Sequence, residues 1–150
     1  MNLIEAQVTA VSLLEKHGLL SEGWTFHFDN AKVRFGSCQY ASKKITLSKK
    51  ITELNEETEV VDTILHEIAH AIVGPRHGHN HHWKLTALSI GCNGKARYDG
   101  NTVIAPPKRF TGTCPNCDRK IQRDVRSGIA CGTCCKGKYN SDYRFNWTRN

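Results

Sequence analysis

The feature that most constrains this chain is the pattern H-E-x-x-H, which lies inside an apolar run at residues 65–72. Side chains four residues apart on an α-helix are only about 40° apart around its axis, so His66 and His70 can face one ion. Glu67 lies beside them, where a carboxylate can take a proton from a metal-bound water. The pattern therefore predicts a zinc site on a helix, with Glu67 as the general base.

The surrounding residues predict the extent of this helix. An apolar stripe recurs at helical spacing opposite the two histidines, and it comprises Val61, Leu65, Ile68 and Ile72. Asn55 is a candidate N-cap, and Gly74-Pro75 is a stop signal. One face of the helix is thus expected in a core and the other in a cleft. The competing interpretation is an amphipathic helix with two surface histidines and no metal.

A catalytic zinc site needs a third protein ligand and an open position for water. Several histidines follow the helix closely, namely His77, His79, His81 and His82. A second helix is predicted from about Asn80 to Ile90, and Trp83 would lie on its buried side. His79 precedes Trp83 by one turn, on that inward side. We therefore expect His79 to be the third ligand, with His82 and then His77 as the alternatives.

The cysteines near the end of the chain form two C-x-x-C knuckles separated by thirteen residues. Each knuckle puts two thiolates on one side of a tight turn, and the pair closes a tetrahedron around zinc. The predicted ligands of this structural zinc are Cys114, Cys117, Cys131 and Cys134. Cys135 is the alternative to Cys134, whose spacing fits better. A segment this small and poor in apolar residues needs such a metal to fold.

The remaining pattern predicts an α+β chain of two domains. Residues 3–17 indicate an amphipathic helix. Short strands are predicted at residues 24–28, 32–40 and 44–48, forming a small antiparallel sheet ahead of the two metal-binding helices. Ala105-Pro106-Pro107 marks a linker. The predicted domains are residues 1–104, which carry the histidine site, and residues 105–150, which form a small β zinc ribbon.

Taken together, these motifs resemble the SprT-like family of zinc metallopeptidases, which includes the Spartan proteases. That family follows its H-E-x-x-H helix with a G-H-G-x-x-F/W segment, and Gly78-His79-Asn80-His81-His82-Trp83 is similar to it, with Asn80 at the second glycine. Upstream, Arg34-Phe35-Gly36-Ser37-Cys38 and Ile45-Thr46-Leu47-Ser48 are similar to two family strands. The resemblance covers nearly the whole chain. It implies a minimal zincin-like peptidase, His79 as the third ligand, and often a zinc ribbon afterwards.

Charge separates the two predicted domains. Residues 1–100 contain eleven basic and eleven acidic side chains, whereas residues 101–150 contain ten and three, so the second part carries the entire formal charge of +7. Cations interspersed with aromatic rings are typical of contact with phosphates and stacking on bases, especially of single-stranded DNA without sequence specificity. The predicted nucleic-acid-binding residues are Lys108, Arg109, Arg119, Lys120, Arg123, Arg126, Lys136 and Lys138. The competing interpretation is a basic surface whose aromatics only pack around the metal.

The sequence also bears on location. No apolar run reaches the ~20 residues that span a bilayer, and the N-terminus shows no export signal. We therefore expect no membrane partner and a cytoplasmic protein, associated with the nucleoid or, in a eukaryote, nuclear. Seven cysteines in a reducing compartment favour metal over disulfides.

Two functional hypotheses follow. The first is a zinc metalloprotease with one catalytic and one structural zinc, which is recruited or stimulated by DNA and acts on DNA-bound or DNA-crosslinked proteins, as the resemblance to Spartan enzymes implies. The second is a non-catalytic nucleic-acid-binding factor, related to transcription, in which the histidine site holds a structural zinc. Glu67 favours the first hypothesis, because a structural site needs no carboxylate beside its first ligand.

Overall fold

The computed structural model describes residues 1–98 and 100–150 and has an α+β architecture. The chain divides into two compact units, Met1–Pro106 and Pro107–Asn150. The boundary predicted from the sequence lies two residues earlier, after residue 104. None of the helices in the described part of the chain combines the length and the apolar character that crossing a bilayer requires.

The first unit contains four helices and three strands within its described residues. They are α1 (Leu3–Lys16), β1 (Thr25–Asp29), β2 (Gly36–Gln39), β3 (Lys44–Ser48), α2 (Lys49–Leu54), α3 (Glu57–Val73) and α4 (His81–Ser89). The main core lies between α1, α3 and the sheet, because α1 buries Ala6, Ala10 and Leu14 at helical spacing while α3 buries Val60, Ile64 and Ile68.

The sheet of the first unit is mixed, so the prediction of an antiparallel sheet is wrong in part. The strand order is β1-β3-β2, in which β2 is antiparallel to β3 but β1 is parallel to it. The Asp29 carboxylate accepts hydrogen bonds from the Ala31 amide and the Thr46 hydroxyl. These bonds hold the chain after β1 close to β3, and β2 pairs with the opposite edge of β3.

Two local expectations before α3 are also corrected. The sequence interpretation missed α2, whose N-cap is Ser48. Asn55 does not cap α3, which begins after Glu56. The buried Asn55 amide instead bonds the Ile51 carbonyl at 2.7 Å and both backbone groups of Ile104 at 2.7 Å. Its side chain is therefore committed to joining α2 to the end of the first unit.

The second unit is built on a small antiparallel sheet. It contains β4 (Phe110–Thr113), β5 (Lys120–Arg123), a short helix α5 (Gly132–Cys135), a 3-10 turn (Ser141–Tyr143) and β6 (Asn146–Arg149). The strand order is β5-β4-β6. The apolar cluster consists of Cys114, Cys131 and Phe145 with a few partly buried neighbours, so little of the stability of this unit can come from an apolar core.

Candidate metal and catalytic site

The helix α3 presents the residues of the H-E-x-x-H motif. Its Leu65 and Ala69 pack in a second apolar cluster with Trp83 and Ala87 of α4. That packing fixes α4 beside α3. His66 and His70 consequently lie on the side of α3 that faces the ligand-bearing loop before α4.

The loop between the two helices positions His79. Its backbone turns through Gly78, whose φ is +52°, and the Asn80 amide donates to the His77 carbonyl at 3.0 Å. The Asn80 side-chain oxygen accepts the Trp83 amide at 3.2 Å and caps α4. Asn80, which occupies the position of the second glycine in the SprT-like pattern, therefore has a structural role in this chain.

Three imidazoles converge on one point. The Nε2 atom of His79 lies 3.0 Å from Nε2 of His70 and 3.0 Å from Nε2 of His66. All three nitrogens lie within 4.8 Å of one another. Tetrahedral zinc with bonds of about 2.0–2.1 Å separates its ligand nitrogens by about 3.3 Å. The three side chains could therefore hold one metal ion of this kind.

The other candidate histidines lie apart from this group. The rings of His77 and His82 pack against each other with centroids 5.1 Å apart, and neither belongs to the converging set. The structure thus brings His66 and His70 together with His79, and not with the two alternatives that the sequence left open. Trp83 lies against all three converging rings, with centroids 4.6–5.3 Å away.

The electrostatics of the histidines suit metal binding. Burial, followed by the charge of His79, lowers the pKa of His66 to about 4. Burial, followed by the neighbouring imidazoles, lowers the pKa of His70 to about 4. Both rings are therefore neutral at physiological pH, as metal ligation requires. The His66 ring also hydrogen-bonds the Lys95 backbone, an outer contact of the kind that orients a ligand.

Glu67 is a buried carboxyl beside the histidines, and its side chain is 7 % exposed. Burial raises its pKa to about 8, and the charge of Arg34 opposes that shift. A cation held by the histidines would favour the ionised form further. Glu67 packs directly on the backbone of β2, because a Cβ at Gly36 would lie 2.8 Å from Glu67 Oε1 and 2.9 Å from Thr63 Cγ2.

This contact gives a testable expectation for Gly36. For the metalloprotease that the sequence predicts, we expect Gly36→Ala to displace the Glu67 carboxylate and to lower kcat on the order of 10- to 100-fold, the scale of effect that a misplaced catalytic group produces. Zinc content should stay unchanged, because the atoms that a Cβ at Gly36 would approach most closely belong to Glu67 and Thr63 and not to the histidines. Cleavage kinetics and metal analysis would check both points. Gly128→Ala is the matched control, since nothing lies within 4 Å of a Cβ there, and wild-type kcat in Gly36→Ala would contradict the account.

The choice of third ligand is tested by paired histidine variants. We expect His79→Ala to weaken zinc binding at this site by more than about 100-fold, beyond the 10–100-fold typical of outer-shell changes. His82→Ala, in the first turn of α4, should bind zinc as the wild type does. Competition with a chromophoric chelator measures both affinities. The reverse result would assign the ligand to His82.

The histidines and Glu67 lie in a cleft of about 890 Å³, between β2, α3 and the segment after α4. Two tyrosines, Tyr40 and Tyr98, lie in its lining, and each makes a structural contact there. The Tyr98 hydroxyl donates to the Val33 carbonyl at 2.7 Å. Tyr40 is hydrogen-bonded to Cys38, and burial raises the pKa of that thiol to about 12. Cys38 is thus a protonated, unreactive thiol at neutral pH.

The second unit brings the four predicted cysteines of the ribbon together. Their sulfur atoms lie within 4.8 Å of one another, with 3.8 Å between Cys114 and Cys134 and 3.7 Å between Cys117 and Cys131. Tetrahedral zinc with bonds of about 2.3 Å separates sulfurs by about 3.8 Å. Cys135 lies outside this group, and its thiol faces the Asn140 carbonyl. The four cysteines could hold a second metal ion.

The predicted nucleic-acid-binding cations differ in their surroundings. Lys108 forms an ion pair with Asp124 at 2.8 Å, and it is the one member of that set with such a partner in residues 1–98 and 100–150. Arg119 donates to the Thr133 hydroxyl at 2.8 Å. Arg126 lies over the Phe110 ring, 4.9 Å from its centroid.

The fold and the site define a class of protein: an α+β domain in which an H-E-x-x-H helix and the loop after it bring three imidazoles together beside a buried carboxyl. The profile of the SprT-like family matches residues 9–104. This match spans more than half of the chain, and the chain belongs to the SprT-like family. It includes the histidine site and Gly36, while the four-cysteine group lies beyond it. A comparison with curated proteins gives no match.

Proposed function

We propose that this protein is a zinc-dependent endopeptidase that acts on DNA-bound or DNA-crosslinked proteins and is recruited or stimulated by DNA through its basic ribbon. The observation that carries the proposal is the convergence of three imidazoles beside a buried carboxyl in an open cleft. Membership in the SprT-like family supports it. The same proposal places the protein in the cytoplasm or the nucleus, where DNA is accessible.

The chain supplies each part that peptide hydrolysis needs. His66, His70 and His79 would hold zinc, and Cys114, Cys117, Cys131 and Cys134 would hold a structural zinc. When bound at the histidines, zinc supplies the Lewis acidity that lowers the pKa of water toward ~7 and polarises a carbonyl. Glu67 accepts the proton of the attacking water and passes it to the leaving amine. The packing of Glu67 on Gly36 keeps its carboxyl oriented for this transfer.

We propose that the second unit binds DNA because of its positive charge and because of a cluster of arginines around Phe110. Arg123 and Arg149 are the register partners of Phe110 on the two neighbouring strands, and Arg126 covers the same ring. Three guanidinium groups around one aromatic side chain suit phosphate contact and base stacking on single strands. No helix in the described part of this unit is long enough to read a groove, so we propose binding without sequence specificity.

The decisive experiment incubates the zinc-loaded protein with one substrate protein in three forms. The substrate is free of DNA, crosslinked to single-stranded DNA, or crosslinked to double-stranded DNA. We expect cleavage that requires zinc and that single-stranded DNA increases. A triple Gln variant of Arg123, Arg126 and Arg149 should lose much of the increase, and its DNA affinity should depend less steeply on salt. The control with the same loss of charge is a single chain that carries Lys16→Gln, Lys49→Gln and Lys50→Gln.

The alternative is a non-catalytic nucleic-acid-binding factor with a structural zinc at the histidines. A closed structural site would recruit a fourth protein ligand, and the group that converges among residues 1–98 and 100–150 has three members. Two zinc ions per chain with no cleavage under any DNA condition would favour this alternative and overturn the peptidase proposal.

A further inference from the structure

The segment after α4 carries two basic side chains, Lys95 and Arg97, into the lining of the cleft that holds the histidines. The segment is held at both ends by hydrogen bonds, one from a backbone amide and one from a side chain. The Asn93 amide donates to Asp62 of α3 at 2.7 Å, and the Tyr98 hydroxyl donates to the Val33 carbonyl at 2.7 Å. Lys95 and Arg97 therefore extend from an anchored segment.

These two cations have no ion-pair partner among residues 1–98 and 100–150. The third cation of the cleft, Arg34, differs, because it pairs with Asp29 at 2.6 Å. An unpaired lysine and arginine in a concave site provide ammonium and guanidinium donors that suit a carboxylate or a phosphate.

The acidic groups that line the cleft within residues 1–98 and 100–150 do not cancel this charge. Asp62 accepts the Asn93 amide, and Glu67 lies buried beside the histidines. Glu59 is seven residues before His66 on α3, which places it about 10 Å away along the helix axis. The cleft is therefore polarised, with its unpaired positive charge on the segment after α4.

The positive end of the cleft is also the end near the metal site. Arg97 is close enough to His79 for its charge to act on that imidazole, and the Lys95 backbone contacts the His66 ring. A group bound by Lys95 and Arg97 would consequently lie next to the bond that the proposed zinc and Glu67 cut.

We propose that Lys95 and Arg97 form an anion-binding subsite that selects polypeptides with a carboxylate close to the cleaved bond. The carboxylate is an aspartate or glutamate side chain, or the free end of the substrate chain. This inference rests on the proposed peptidase function and names the class of substrate for that same cleft.

The test measures binding separately from cleavage. Zinc-loaded full-length Glu67→Gln protein is added to fluorescently labelled peptides, and binding is measured by fluorescence anisotropy. The peptides form a series in which one Asp, or one Asn as its neutral counterpart, occupies each position on either side of the scissile bond in turn. Each peptide carries either a free or an amidated C-terminus, which distinguishes the two sources of carboxylate. At one position we expect Asp, or the free terminus, to bind about tenfold to a hundredfold tighter, the scale of a hydrogen bond to a charged group.

The double variant Lys95→Gln/Arg97→Gln should bring the ratio of the affinities for the Asp and Asn peptides close to one. The double variant Lys95→Glu/Arg97→Glu should reverse the charge preference in favour of a Lys-containing peptide. Lys49→Gln/Lys50→Gln is the matched control, since both lysines are exposed and lie outside the cleft lining. It should keep the ratio of the parent protein.

Several results would overturn the subsite. They are equal binding of all peptides, no measurable binding of any peptide, or an affinity ratio of Asp to Asn peptides that stays unchanged in Lys95→Gln/Arg97→Gln. Displacement of the acidic peptide by a short single-stranded oligonucleotide, lost in the same variant, would assign these cations to nucleic acid instead. A charge preference in binding without any cleavage by the wild type would contradict only the proposed peptidase function, whereas cleavage without preference would contradict only the subsite.

Discussion

Glu67→Gln should lower kcat by about 10²–10⁴-fold, the usual contribution of a positioned general base. The amide has almost the size of the carboxyl but cannot accept the proton of the attacking water. The fold should tolerate the change, because burial raises the pKa of Glu67 to about 8. The metal-free protein thus already holds this group in its neutral form below that pH.

The control for this result is Glu59→Gln, which changes another cleft carboxylate on the same helix α3. It should leave kcat within a few-fold of the wild type, and both variants should bind two zinc ions per chain. Cleavage rates on one substrate, together with metal analysis of the same samples, provide the measurement. A Glu67→Gln protein that cuts at the wild-type rate would remove this residue from the chemistry.

Cys131→Ser should unfold residues 107–150 while leaving the first unit folded. Cys131 is completely buried among the converging thiols, and structural zinc in small ribbons contributes roughly 10–16 kcal/mol of binding free energy that is also folding free energy. The apolar cluster of this unit is too small to replace that contribution. We expect zinc to fall from two ions per chain to one, and the affinity for single-stranded DNA to fall with it.

Cys135→Ser is the matched control, because Cys135 is the neighbouring thiol that the converging group excludes. It should keep two zinc ions and DNA binding. Hydrogen exchange would locate the change, with protection lost across residues 107–150 in Cys131→Ser alone. Loss of zinc in Cys135→Ser but not in a Cys134→Ser protein would reverse the assignment of the fourth ligand.

The parts of the site that the sequence predicted depend on local geometry. His66 and His70 converge because they are four residues apart on one helix, and the cysteine knuckles close because each is a tight turn with fixed spacing. Extending the period of the following helix back to His79 ranks it above its neighbours, but α4 begins at His81 after the Asn80 cap. The loop, and not the helix, therefore positions His79.

The parts that the sequence missed depend on distant segments. The parallel pairing of β1 with β3 brings Asp29 and Thr46, seventeen positions apart, into hydrogen-bond contact, and no local pattern indicates it. Asn55 looked like an N-cap, but its amide is occupied by Ile104, forty-nine positions away. The same holds for Lys95 and Arg97, since nothing in their local pattern indicates that the chain returns over the histidines. A close approach such as that of Glu67 to Gly36 likewise has no local signature beyond the glycine itself.

The packing of Trp83 against the three convergent imidazoles gives the protein an internal optical probe. Its indole ring lies within 5.3 Å of each of them, centroid to centroid, and it is almost fully shielded from solvent. In a protein whose other two tryptophans, Trp24 and Trp147, are replaced by Phe, emission from Trp83 should respond when an ion enters or leaves, and a paramagnetic substitute such as Co²⁺ should quench it. Occupancy of the site could then be followed in real time without any label.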